Sequence, residues 1–246
     1  MSFANVCAAE LLKFRTLLSN RITLLCALVG VAAVGLLMGS NIGPNGNLVQ
    51  GPPGSQAVAS PMQFVMFSMM ILGVLSATSE IRNGTFRITL SVAPWRRRVL
   101  TGKMVTLAAI SFGVTIVGLL IAYGSSLITA SGTAYAPLSN GGAATILAFL
   151  GSVPLVTALG VAVGVLVKST AGALSILLVW AFAGEGILAI VLPDTIDPYL
   201  PFMMVGAGPG ILPEGPGPVL GLGIFALYVA IVIAVTFFVA ERRDIA

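Results

Sequence analysis

The sequence predicts an all-α membrane protein with six transmembrane helices, an amphipathic N-terminal helix and re-entrant helices near its C-terminal third. Three observations carry that expectation. First, 57% of the 246 residues are hydrophobic and only 8% are charged, where a soluble domain carries about 25% charged residues; mean hydropathy is +1.06. Second, six apolar runs lie near 22–40, 61–79, 104–123, 143–167, 172–192 and 218–240, each close to the roughly 20 residues that cross a bilayer as a helix. Their continuity excludes a transmembrane barrel, whose strands alternate apolar and polar residues. Third, every Lys and Arg falls at 13–21, 82–103, 168 or 242–243. With six spans, all four places lie on one side of the membrane, and the positive-inside rule makes that side cytoplasmic, both termini included.

Residues 1–21 precede the first run. Phe3, Val6, Cys7, Leu11, Phe14, Leu17 and Leu18 share a broad face over 3–18, with Lys13, Thr16, Ser19 and Asn20 opposite. That is the pattern of a helix lying in the membrane interface, turning into the bilayer at Asn20-Arg21. The first run is longer than the core of a usual signal peptide, which argues against cleavage. Glu10 sits within the apolar face, where a bare carboxylate is costly. Its partner is either Lys13, three residues on, or an arginine of the 82–98 segment.

The second run carries Met62, Met66, Met69 and Met70 along one side. Methionine surfaces adapt to varied apolar ligands, so these four are substrate-path candidates, although helix packing is the commoner reason for such a stripe. Gly118, Gly160 and Gly164 are small residues suited to close helix contact, and Pro154 predicts a kink in the fourth run. Glu185 places an acid in the fifth run, at a cost of up to about 2.5–3.5 kcal/mol at mid-bilayer. A structural role and a substrate-path role both remain open for it. Segment 193–217 holds six prolines and the apolar patch Tyr199, Leu200, Pro201, Phe202, Met203, Met204, Val205. It is too apolar for a solvated loop and too broken to span, which predicts short re-entrant helices covered by protein; a Pro/Gly loop without fixed structure is the alternative. Asp194 and Asp197 read as acids at the outer water boundary.

Several chemistries are excluded. The chain has no His, so imidazole bases and imidazole metal sites are impossible. Cys7 and Cys26 match no metal-ligand spacing, and no phosphate-binding loop exists, because Gly102-Lys103 is followed by Met104. An enzyme is not expected, and the placement of the cations accounts for the net charge of +4 without nucleic acid.

The most polar stretch runs from Glu80 to Lys103. Asn83-Gly84 is a helix-stop signal, Thr85 is a candidate N-cap, and a short helix over 86–92 would present Phe86, Ile88, Leu90 and Val92 before Pro94 ends it. Arg82, Arg96, Arg97, Arg98 and Lys103 flank it with positive charge. Thr78-x-Glu80-x-x-x-Gly84-Thr85, then Leu90, Pro94-x-x-Arg97 and Gly102-Lys103 opening the next helix, resembles the membrane subunits of ABC exporters of the ABC-2 type. The six-span layout with an N-terminal interfacial helix resembles them over the whole chain, read as one domain from 1 to 246. Trp95-Arg96 departs from the pattern, in which a small residue often precedes the arginine.

The resemblance implies that the connection between spans 2 and 3 is a cytoplasmic coupling helix docked on a separate ATP-binding subunit. Glu80 would pair with a nearby Arg at the membrane boundary, and Phe86, Ile88 and Leu90 would supply the apolar contact. Arg96, Arg97 and Arg98 would meet anionic lipid or acidic groups of the ATPase. It further implies a second permease copy or paralogue, an outer gate including Tyr199, Phe202, Met203 and Met204, and ATP with Mg held by the partner alone. The apolar gate and Met stripe point to a lipophilic substrate such as a drug, an antibiotic or a lipid. Two rival expectations are an ion-coupled secondary transporter using Glu185 and a non-transporting anchor for a cytoplasmic partner.

Overall fold

The computed structural model describes residues 3–42, 56–85, 96–130, 142–193, 196, 199–202 and 218–242. Among these residues the chain is helical, with no β-strand. The elements are α1 (Phe3–Thr16), α2 (Leu18–Ser40), α3 (Gln56–Arg82), α4 (Arg96–Thr129), α5 (Gly142–Val167), α6 (Thr170–Val179), α7 (Glu185–Val191) and α8 (Pro218–Arg242). A π-helical turn over Trp180–Gly184 joins α6 to α7. Six helices are long and apolar enough to cross a membrane: Leu18–Ser40, Val58–Arg82, Arg97–Thr129, Ala143–Val167, Thr170–Val191 and Leu220–Arg242.

The element ends follow local chemistry. The turn between α1 and α2 falls at Leu17, whose extended backbone (φ −74°, ψ 120°) separates the two helices, and not at Asn20-Arg21. Those two residues instead close the end of α1: Asn20 Nδ2 donates to the Phe14 carbonyl at 3.3 Å and Arg21 Nε to the Arg15 carbonyl at 2.9 Å. Both carbonyls belong to the last turn of α1, where intrahelical donors run out. Helix α4 begins at Arg96, ahead of its apolar run at 104, because arginine and lysine are good helix formers and nothing in 96–103 breaks the helix. Ser169 caps α6, its Oγ accepting from Gly172 N at 3.3 Å. Pro154 lies inside α5 without ending it.

Helices α3 and α5 form the centre. The most apolar window of α3 is 61% buried and that of α5 56%, against 11% for Thr170–Val191 and 17% for Leu220–Arg242. The two central helices meet backbone to backbone, because a side chain is missing where they touch. A Cβ on Gly73 would strike the Thr157 carbonyl, and one on Gly160 the Met70 carbonyl; one on Gly164 would lie 3.1 Å from the Ala77 Cβ. The same device seats α2 on α4, where Gly35 and Gly39 face Ser125 and Ser126 and Thr129 Oγ1 donates to the Leu36 carbonyl at 2.7 Å. Gly118 of α4 lies against α3, its missing Cβ 2.8 Å from Val65 Cγ2. With no hydrophobic drive between helices in lipid, this close packing is what holds the spans together.

The glycine contacts make a direct prediction. Gly160→Leu should destabilise the protein by about 1–3 kcal/mol or more through overpacking. Gly113→Leu should be near neutral, because nothing lies within 4 Å of its missing Cβ. Thermal unfolding of both variants in one detergent checks the contrast; equal melting temperatures would contradict the packing described.

Candidate functional site

Four charged side chains from three helices close into a ring at the end of the bundle where α3 stops and α4 begins. Lys13 Nζ donates to Glu10 Oε1 at 2.7 Å and to Glu80 Oε1 at 2.9 Å. Lys103 Nζ donates to Glu10 Oε2 at 2.6 Å, to Glu80 Oε1 at 2.9 Å and to the Ser76 carbonyl at 3.4 Å. Acid and base alternate around the ring, so its net charge is zero. Lys103 is 2% exposed, Glu10 5% and Glu80 9%. A lone buried charge would be expelled or neutralised, and mutual pairing is what permits these charges to stay.

The sequence explains why they meet. Glu10 and Lys13 are one helical turn apart on α1, and Val6, one turn before Glu10, packs against Gly102 of α4. The missing Gly102 Cβ lies 2.7 Å from Val6 Cγ1, so α1 approaches α4 closely beside Lys103. Of the two partners anticipated for Glu10, Lys13 binds it; among the described residues its second cation is Lys103, which lies beyond the 82–98 segment, and not an arginine. On Glu80, the cations among the described residues are Lys13 and Lys103.

Burial pushes the Glu10 carboxyl upward, but the charge and hydrogen bond of Lys103, joined by those of Lys13, outweigh it and hold Glu10 below its ordinary 4.5. Burial pulls Lys13 down, while hydrogen bonds and charge from Glu10 and Glu80 hold it above its ordinary 10.5. One atom is left out: Glu80 Oε2 is buried and has no hydrogen-bond partner. The ring borders a cavity of about 490 Å³ lined by α1, the start of α2 and the facing parts of α3 and α4.

The remaining residues of the 80–103 segment divide into three groups. Gly84 follows α3 with φ +68°, the left-handed conformation that ends helices and favours glycine. Thr85 Oγ1 donates back to the Glu80 carbonyl at 3.3 Å, and Arg82 is exposed. Arg97 makes a two-pronged ion pair with Glu241 of α8, with Nη2 to Oε2 at 2.8 Å, which ties the start of α4 to the end of α8. Arg98 is exposed, and Arg96 opens α4. Phe86, Ile88, Leu90 and Pro94, and with them the short helix, lie outside the described residues.

A second constellation surrounds Glu185. It is 1% exposed at the start of α7, and its Oε1 accepts from Trp180 Nε1 at 3.1 Å and from the Phe202 backbone N at 2.7 Å. The π turn opens on Trp180 and is followed at once by Glu185, an irregularity often found at functional positions. Phe202 is 6% exposed and edge-on to Phe225 of α8, with ring centroids 6.4 Å apart. The Tyr199 carbonyl accepts from Tyr228 Oη at 3.4 Å. The described part of 199–202 is therefore fastened to α7 and α8; Asp194, Asp197, Met203 and Met204 lie outside the described residues. Met62, Met66, Met69 and Met70 are all 0% exposed within the core around α3, so a path along them requires neighbouring helices to part.

Sequence reading missed Lys103 as the centre of a buried cluster and Trp180 as a partner of Glu185. The available signal for the first was electrostatic: an acid on an apolar face, Glu10, needs a cation that reaches it there.

The pKa directions set a pH window. Glu10, held low, contributes stability above its ordinary value that is lost as pH falls through its folded value. Lys13, held high, contributes stability below 10.5 that is lost as pH rises through its folded value. Unfolding temperature in detergent should thus stay flat from about pH 6 to about pH 9 and fall on both sides. Glu10→Gln should lower the plateau and blunt the acid limb; a transition centred near neutrality would contradict the ring.

These residues and distances stand on the chain alone: no family model matches it, and no curated protein is significantly similar to it.

Proposed function

We propose that the chain is the permease subunit of an ATP-driven exporter of the ABC-2 type, with both termini on the cytoplasmic side of a bacterial cell membrane. It pairs with a second copy or a close paralogue and with two ATP-binding subunits, which hold the ATP and Mg. The observation that carries this reading is the segment Glu80–Lys103. Its motif spacing resembles the coupling segment of that family, and its two ends are bound to each other and to α1 through the charge ring.

Physically, that arrangement suits a lever. In this reading the connection between α3 and α4 docks on the ATP-binding subunit. A push on it reaches the two helices together, since Glu80 and Lys103 are ion-paired at 2.9 Å. Helix α1 lies in the inner interface and moves with them through Glu10. At the other end, the family resemblance makes the connection after α7 an outer gate, and Glu185 accepts a hydrogen bond from the Phe202 backbone there. The apolar residues around Tyr199 and Phe202 suit a lipophilic substrate, which reaches them when α3 separates from its neighbours.

One observation favours a second reading. A carboxylate 1% exposed within a candidate span is the usual mark of a proton carrier, and an ion-coupled transporter would use Glu185 in that way. Against it, Oε1 of Glu185 already accepts two hydrogen bonds, from Trp180 and Phe202, which suits a fixed structural acceptor.

Gentle purification from the native membrane with mass spectrometry of the co-purifying proteins separates these readings. A stoichiometric ATPase with Walker motifs is expected, its recovery reduced at least tenfold by Phe86→Asp, since burying a charge in an apolar contact costs more than the 1.4 kcal/mol of a decade. Gly84→Val, strained at φ +68°, should uncouple export while leaving insertion intact. A partnerless protein that moves protons in liposomes, and stops on Glu185→Gln, would overturn the proposal.

A further inference from the structure

The cavity beside the charge ring combines three features that do not serve the ring itself. Glu80 lines it, and Glu80 Oε2 is buried without a hydrogen-bond donor. A carboxylate oxygen in that position costs the full desolvation of an acceptor unless a donor fills it. Lys13 and Arg82 line the same cavity. Two of the three Lys13 donors are spent on Glu10 and Glu80, leaving one, and its side chain is 39% exposed. Arg82 is exposed, with no acidic partner among the described residues. Finally, Leu17, Leu72, Leu75 and Leu107 supply an apolar wall.

A ligand that suits all three carries an anion, a nearby N–H donor and a hydrocarbon tail. We propose that this cavity binds the headgroup of a membrane phospholipid bearing a primary amine, of the phosphoethanolamine class. The phosphate meets Lys13 and Arg82, the ammonium donates to Glu80 Oε2, and an acyl chain runs along the leucines. The headgroup is zwitterionic, which matches a site that offers cations (Lys13, Arg82) on one side and an unpaired carboxylate oxygen (Glu80 Oε2) on the other. A choline headgroup offers the same phosphate but no N–H, and a glycerol headgroup offers Glu80 Oε2 only uncharged, weaker O–H donors. The cavity lies at the end of the membrane-crossing helices, beside α1, so the source is the bilayer and not a soluble metabolite. This inference stands apart from the transport reading and survives if that reading fails.

The test uses the full-length protein, delipidated in detergent and offered an equimolar mixture of phosphatidylethanolamine, phosphatidylcholine and phosphatidylglycerol with matched chains. Native mass spectrometry reads what is retained. Phosphatidylethanolamine should be kept about tenfold over phosphatidylcholine, the scale of one charge-assisted hydrogen bond. Glu80→Gln should erase that preference. Arg82→Gln, at an exposed position that leaves the ring intact, should weaken retention of every phospholipid several-fold, so the test stands even if the Glu80 variant fails to fold. Equal retention of the ethanolamine and choline lipids, preference for phosphatidylglycerol, or retention of no phospholipid would each overturn the proposal. Displacement of the lipid by soluble phosphoethanolamine at equal concentration would also overturn it, by assigning the site to the free headgroup.

Discussion

The structure depends on one constraint: two acids and one lysine are buried, with a second lysine half-exposed beside them, in a chain with very little charge to spare. Removing one member of a buried pair strands the other, at a cost of about 3–5 kcal/mol. Glu10, Lys13, Glu80 and Lys103 escape that cost only because α1, α3 and α4 bring them within 2.6–2.9 Å of one another. The ring therefore acts as a registry device. It sets where α1 lies against α4, and it fixes the distance between the end of α3 and the start of α4.

The rest of the bundle is held by shape. Gly73 and Gly160 let α3 and α5 touch through their backbones, and Gly35 and Gly39 do the same for α2 on α4. Such contacts are tight but carry little directional chemistry, so the polar fastenings stand out. The ring and the Arg97–Glu241 pair bind one end, while Glu185 with Trp180 and Phe202 binds the segment after α7. A molecule with close-packed spans and separate polar clamps can rearrange by exchanging a few contacts, because packed interfaces are bistable and do not deform continuously.

How much was legible follows from which interactions are local. The six long helices were readable because burial in lipid writes itself into continuous apolar runs. Their ends were less so: α4 starts at Arg96 because helix propensity does not stop where hydropathy does. Glu10 with Lys13 was visible as a pair one turn apart. Lys103 was not, since its partners stand at Glu10 and Glu80 in sequence and only the contact of Val6 with Gly102 brings the helices together. The same holds for Glu185, whose acceptor role depends on a π turn that no periodicity announces. The Met stripe was legible as a face but not as an exposed or covered one; the structure puts it inside. Gly118, Gly160 and Gly164 were read as packing residues from type alone, and they are at contacts.

The central claim is that the four charges act as a unit, and a double-mutant cycle tests it most directly. Unfolding free energy in detergent would be measured for Lys103→Met, Glu10→Gln and the combined variant. If the ring is one network, the combined loss falls short of the sum of the single losses by about 1–3 kcal/mol, because the double variant leaves Lys13 paired with Glu80 and no stranded charge. Strict additivity of the two losses would mean that Glu10 and Lys103 do not depend on each other, and the account of how α1, α3 and α4 are joined would fail.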